Sequence, residues 1–166
     1  MNFRSTIFVL LLLALASCRD PPDYPDEPVI EFVSMSKNTM IQSPLAAAGD
    51  FVFVNVSFTD GDGNLGSNNF NDSTRVYYSD MRFTPALPQP PISIPLIPEL
   101  GSGNGISGDI TIKIPTTCCL YPGVGLPCEP LAGFPTDTVS YEIYILDRDD
   151  NKSNVIQTPP IVLICQ

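Results

Sequence analysis

A chain of 166 residues is long enough for one domain with an ordinary core, and 43% hydrophobic content with 18 prolines and 11 glycines suits a turn-rich β protein better than a helical one. Eight basic against 18 acidic side chains, a net charge of −10, argue against nucleic acid as a partner, because that binding is driven by Lys and Arg neutralising phosphates. There is no histidine, which removes the usual general base, the Ser-His-Asp and Cys-His arrangements, and the commonest zinc or iron ligand.

Met1 to Arg4 carries one positive charge, Thr6 to Ala16 is apolar, and after Ser17-Cys18 the composition turns polar. This pattern predicts a secretory signal peptide over residues 1–17, its apolar run being shorter than the roughly 20 residues of a spanning helix. Leu15-Ala16-Ser17-Cys18 resembles the lipobox of bacterial lipoproteins, which implies cleavage before Cys18 and lipidation of that cysteine. Cleavage there removes Arg4, leaving 7 basic and 18 acidic residues and a net charge of 7 − 18 = −11. Multiple acylation, which the resemblance implies, anchors stably where one acyl chain is marginal.

Residues 18–27 read as a tether, stiffened by Pro21, Pro22 and Pro25 and kept solvated by Asp20, Asp23, Asp26 and Glu27. Fully extended, such a segment spans about 30 Å. An acidic run behind a lipidated cysteine also resembles the export signals of Bacteroidota-type surface lipoproteins. The expected address is therefore the outer membrane, with a lipid anchor through Cys18, on the cell-surface or periplasmic face.

From residue 28 to 166 the sequence predicts a single domain. It shows no sustained 3.6-residue period but repeated period-two runs bounded by Gly, Pro, Asn and Asp, the mark of short strands. Strands are expected at Val29 to Ser36; at Phe51 to Thr59, with Val52, Val54, Val56 and Phe58 inward; and at Val76 to Phe83. Ile92 to Ile97, interrupted by Pro95, belongs at an edge. Ile110, Ile112 and Ile114 alternate with polar residues, as do Val139, Tyr141, Ile143 and Ile145. A last run, Val155 to Cys165, is broken at Pro159-Pro160. About seven antiparallel strands fit an all-β sandwich of immunoglobulin-like or fibronectin type III-like style, without the Cys-Trp-Cys hallmark of antibody domains, since there is no Trp.

After the second strand comes Asp60-Gly61-Asp62-Gly63-Asn64-Leu65-Gly66. Asp60, Asp62 and Asn64 at i, i+2 and i+4 are spaced as a turning loop spaces oxygen ligands for a hard cation, with glycines permitting the backbone angles. Leu65 at the sixth position and Asn71 at the twelfth exclude an EF-hand. A second acidic stretch, Asp147 with Asp149, Asp150 and Asn151, joins the sixth and seventh strands, and in a sandwich that loop shares a pole with the Asp60 loop. Seven oxygen-bearing side chains are thus candidate ligands for calcium. The competing reading is two ordinary turns, since Asp-Gly and Asp-Asp-Asn suit turns through local hydrogen bonds.

With Cys18 lipidated, Cys118, Cys119, Cys128 and Cys165 remain, an even number in an exported chain, and two disulfides are expected. The favoured pattern joins one of the adjacent pair to Cys128 and the other to Cys165; a vicinal Cys118–Cys119 bridge and a four-cysteine zinc site are the competing readings.

Phe58 to Gly66, followed by Tyr141 to Arg148 and Asn151 to Val155, resembles a family of uncharacterised Bacteroidota-type lipoproteins that share an F-x-DGDG-x-[IL]-G corner and a late DR…NKSN hairpin. The resemblance implies a surface or periplasmic immunoglobulin-like module with no known activity. That family usually carries Asp where Asn64 stands. The functions in view are a non-enzymatic lipoprotein that is a binding or structural module, a carbohydrate- or protein-binding accessory module with a protein or glycan partner, and a glycosidase using paired carboxylates. In the sandwich the tether should emerge beside the Asp60 corner, leaving the cysteine-stapled pole, with Leu120 to Phe134, better placed for a partner.

Overall fold

The computed structural model describes residues 23–45, 49–69, 72, 74–98, 105–121, 123 and 125–166. The signal peptide, the lipobox with Cys18 and the first half of the tether lie outside them. The described residues are all-β, with strands β1 (Val29–Met35), β2 (Thr39–Ile41), β3 (Phe51–Asp60), β4 (Arg75–Asp80), β5 (Leu87–Pro88), β6 (Ile92–Ser93), β7 (Ile106–Pro115), β8 (Thr136–Val139), β9 (Tyr141–Ile145), β10 (Ile156–Gln157) and β11 (Ile161–Ile164). They form three sheets, β1-β3-β7, β10-β9-β4-β5 with β6 also on β4, and β2-β11-β8. All pairings are antiparallel except β2 beside β11.

The period-two runs become strands because alternation puts one whole side of each into the core. Val52, Val54, Val56 and Phe58 of β3 are buried, as expected, beside Ile112 and Ile114 of β7, to which Val54 and Val52 are paired. Tyr141, Ile143 and Ile145 of β9 and Val76 and Tyr78 of β4 belong to the same core cluster. Tyr77 and Tyr144, register partners on the other side of that sheet, stack with ring centroids 5.1 Å apart. They are a cross-strand pair, the plainer use of strand aromatics.

Eleven strands stand where about seven were expected, for local reasons. The run through Val139 and Tyr141 is divided at Ser140, whose carbonyl accepts the Met81 amide outside any ladder. The last run is divided around Pro159-Pro160, where two residues lack the N–H a ladder needs. β2 and β5, three and two residues long, are too short to show a period. The strand expected through Phe83 stops at Asp80, and β7 begins at Ile106, four residues before its predicted alternation.

Two disulfides close the far end, Cys118–Cys128 and Cys119–Cys165. This is the favoured pattern, and it uses the thiols that a vicinal bridge or a zinc site would need. At the near end Asp60, the last residue of β3, is paired with Ile106, the first of β7, and Val29 opens β1 opposite Thr59. Chain entry and acidic corner therefore share one pole, as the strand count implied. The other end of β7, Pro115, is nine residues on and about 30 Å away.

Candidate metal site

The corner between β3 and β4 folds back over the core through Leu65, which is fully buried. Gly66 makes the turn possible: its φ is +79°, and a methyl group there would overlap the backbone of Pro95. Its amide is held by the Thr74 hydroxyl at 2.9 Å. The β9–β10 loop comes up beside it, and carboxylate oxygens of Asp60, Asp62 and Asp147 lie within 4.8 Å of one another.

These three groups are not equivalent. Asp147 is fully buried but served by its own loop: its Oδ1 accepts the amides of Asp149 and Asn151, each at 2.8 Å, and its Oδ2 accepts the Asn151 side-chain amide at 2.8 Å. Asp62 reaches solvent and accepts both the backbone and side-chain nitrogens of Asn64, at 3.3 and 2.7 Å. Asp60 is 0% exposed, and neither of its oxygens has a hydrogen-bond partner of acceptable geometry among the described residues. Burial, with the charges of Asp62 and Asp147 beside it, pushes its carboxyl up to about 7, an effect the Asn64 and Leu65 amides offset only in part. Asp62 is also held above the usual carboxylate range, by desolvation first and then by Asp147, Asp26 and Asp149, against the Asn64 amide.

Asn64 joins the two loops. Its side-chain nitrogen donates to Asp62 and to Asp149, the latter at 3.0 Å, and its Oδ1 is a third buried acceptor with no donor. A buried acceptor left unmade costs about 1–3 kcal/mol, more for a charged group, so three at one spot call for a partner. All the atoms offered are hard oxygens, the ligand chemistry of calcium or magnesium rather than of zinc or copper.

Of the seven residues singled out by spacing, the fold brings Asp60, Asp62, Asn64 and Asp147 to the cluster. Asp149 touches it through Asn64. Asn151 acts one step back by orienting Asp147, and Asp150 is exposed at the turn with φ +65°. Sequence reasoning missed the residues that hold the second loop in place. Asn154 imitates a strand partner for Ile30, accepting its amide at 2.8 Å and donating to its carbonyl at 2.9 Å. The Ser153 hydroxyl accepts the Ile145 amide at 3.0 Å, and Lys152 caps the Tyr144 ring. The late NKSN string is thus scaffold for the corner.

The Asn at position 64 has a specific consequence. An Asp there cannot donate to Asp62 and Asp149 and adds a negative charge. Asn64→Asp should therefore cost about 2–4 kcal/mol in chelator, from two lost hydrogen bonds to charged groups, and clearly less in millimolar calcium, where the new carboxylate is a ligand. Urea denaturation in both conditions measures this, and equal losses would count against any ion at the corner.

At the opposite pole a cavity of about 500 Å³ opens beside Cys118, lined by Tyr78, Tyr141, Gln89, Lys113 and Thr116 among others. Comparison with protein-family models, with curated proteins and with solved structures finds no match for the chain.

Proposed function

We propose that the protein is a non-enzymatic, lipid-anchored module of the outer-membrane envelope, an immunoglobulin-like or fibronectin III-like β-sandwich stabilised by calcium at the corner where its tether enters. The observation that carries the calcium reading is the group of three buried, unpartnered oxygens, two on Asp60 and one on Asn64, facing the carboxylates of Asp62 and Asp147. A dry interior accepts such a group when a cation or a proton neutralises it.

The sandwich reading is supported by how the strands connect. β8 and β9 are separated by Ser140 alone, and β10 and β11 by three residues, so each pair is one interrupted strand. The second and third sheets are then one bent sheet facing β1-β3-β7. β2 follows β1 after three residues and crosses to the other sheet beside β11. Counted this way the eleven strands reduce to nine. The lipoprotein reading rests on the lipobox at Cys18 and the acidic tether.

A glycosidase needs its carboxylates at a sugar-accepting cleft, whereas Asp60 is sealed from solvent. That geometry favours an ion clamp over catalysis. The distal cavity beside the disulfides is the better surface for a protein or glycan partner, since it lies at the far end of β7 from the tether.

Thermal melts of the full chain in detergent, with calcium or with chelator, test the calcium reading. At 100 times the dissociation constant, calcium adds about 2.7 kcal/mol, which raises the midpoint of a domain this size by about 8 °C. An unchanged midpoint up to several millimolar calcium would reduce the corner to two well-made turns.

A further inference from the structure

We propose that the cation at the corner clamps the membrane-proximal segment 23–28 onto the sandwich, so that its occupancy sets whether this end of the tether is docked or free. The inference rests on the calcium reading above and extends it from stability to the attachment of the domain.

Gly61 lies between Asp60 and Asp62, and its amide donates to the Pro25 carbonyl at 2.8 Å. No side chain fits there, because a methyl group on Gly61 would overlap the backbone carbonyls of Tyr24 and Pro25. The tether backbone therefore lies directly on the residue between two candidate ligands. The Tyr24 ring comes against Gly105, at the mouth of β7. Asp26, the next residue after Pro25, adds its charge to those already facing Asp62.

Among the described residues little else holds this segment. Asp23, Pro25, Asp26 and Glu27 are exposed, Tyr24 is half-buried, and only Pro28 is buried before β1 begins. Docking thus depends on one backbone hydrogen bond, the Tyr24 ring and Pro28. It is opposed by bringing the charge of Asp26 up to Asp62, which itself stands beside Asp60 and Asp147. A divalent cation among those carboxylates turns the opposition into attraction; its removal leaves like charges at close range. Release of residues 23–28 adds about 17 Å of reach at 3.3 Å per residue, enough to change how far the domain stands from a lipid at Cys18.

The test is amide hydrogen exchange on the full chain in detergent micelles, in calcium and in chelator, with the melting midpoint recorded on the same samples. The Gly61 amide reports the docking bond, and the Val54 amide inside β3 reports the stability of the sandwich as a whole. Calcium is expected to raise the midpoint and to slow exchange at Gly61 at least tenfold, approaching the factor seen at Val54, because releasing the tether then costs the binding energy of the ion. In Asp26→Asn, an exposed substitution, the slowing at Gly61 should shrink because the calcium-free tether already docks. A raised midpoint and a slowed Val54 with Gly61 exchange unchanged by calcium overturns the clamp and leaves the calcium site standing. If neither moves, both fall together.

Discussion

Arg82→Met is expected to cost the domain about 3–5 kcal/mol, the loss typical when one partner is removed from a buried ion pair. The Arg82 guanidinium forks onto Asp80, with Nε at 3.0 and 3.1 Å from its two oxygens and Nη2 at 2.5 Å, while Nη1 reaches Asp137 at 2.6 Å and the Cys118 carbonyl at 2.9 Å. The Asp80 side chain is 3% exposed and that of Arg82 10%. Burial works against the Arg82 charge, yet Asp80 and Asp137 together hold its pKa above the ordinary value. Methionine fills the space of the stem but leaves Asp80 charged in a dry site. Asp137 also accepts the Leu120 amide at 2.9 Å, so the same substitution loosens the loop that carries Cys118 and Cys119. Urea denaturation under oxidising conditions measures the loss. Lysine at this position should recover only part of it, because a single ammonium cannot reproduce the fork. Asp80→Asn combined with Arg82→Met should be less harmful than Arg82→Met alone, since the uncompensated charge is gone. A loss under about 1 kcal/mol would mean that the network behaves as a surface pair.

This network shows what could and could not be read in the chain. The inward side of β4 runs Val76, Tyr78, Asp80, with Arg82 next at the same period, and a carboxylate in a buried alternation demands a cation. That signal was present in four alternate residues. Asp137 was not legible, because it comes from 55 residues away and its role follows from how β8 lies on β11. The acidic corner was legible for a different reason. Strand alternation is local, so counting strands places loops at poles, and both the Asp60 and Asp147 loops arrive where the count puts them. What counting cannot supply is which side chains of a loop turn inward. Asp150 and Asn151 look like ligands by composition, yet the turn that Asp147 organises exposes the first and uses the second as a donor. The breaks at Ser140 and Pro159-Pro160 and the three-residue β2 were likewise beyond a period-based reading, since two or three residues carry no period.

Asp60→Asn is expected to reverse its sign with calcium, stabilising the ion-free protein and weakening the ion-bound one. The Asp60 carboxyl titrates near 3.8 when exposed and at about 7 in the fold, so the folded state keeps its proton longer. Below about pH 4 both states hold the proton and Asp60 has no cost. As pH rises toward 7 the unfolded chain has already released it, and stability falls by about 1.4 kcal/mol per unit. Above pH 7 the full penalty, about 4 kcal/mol, is present. An amide carries no charge to desolvate, and its nitrogen can donate to Asp62 or Asp147. In chelator at pH 8 the variant should therefore exceed the wild type by up to about 4 kcal/mol, and at pH 5 by less than about 2 kcal/mol. In saturating calcium the order inverts, because the variant has lost the candidate ligand whose two oxygens lack a well-formed hydrogen bond among the described residues. Urea denaturation at the two pH values, with and without calcium, gives all four numbers. Should Asp60→Asn destabilise the chelated protein at pH 8, the buried carboxylate would be meeting a structural partner rather than waiting for an ion. The same protonation makes calcium compete with a proton at Asp60, so binding at pH 6 should release protons that binding at pH 8.5 does not.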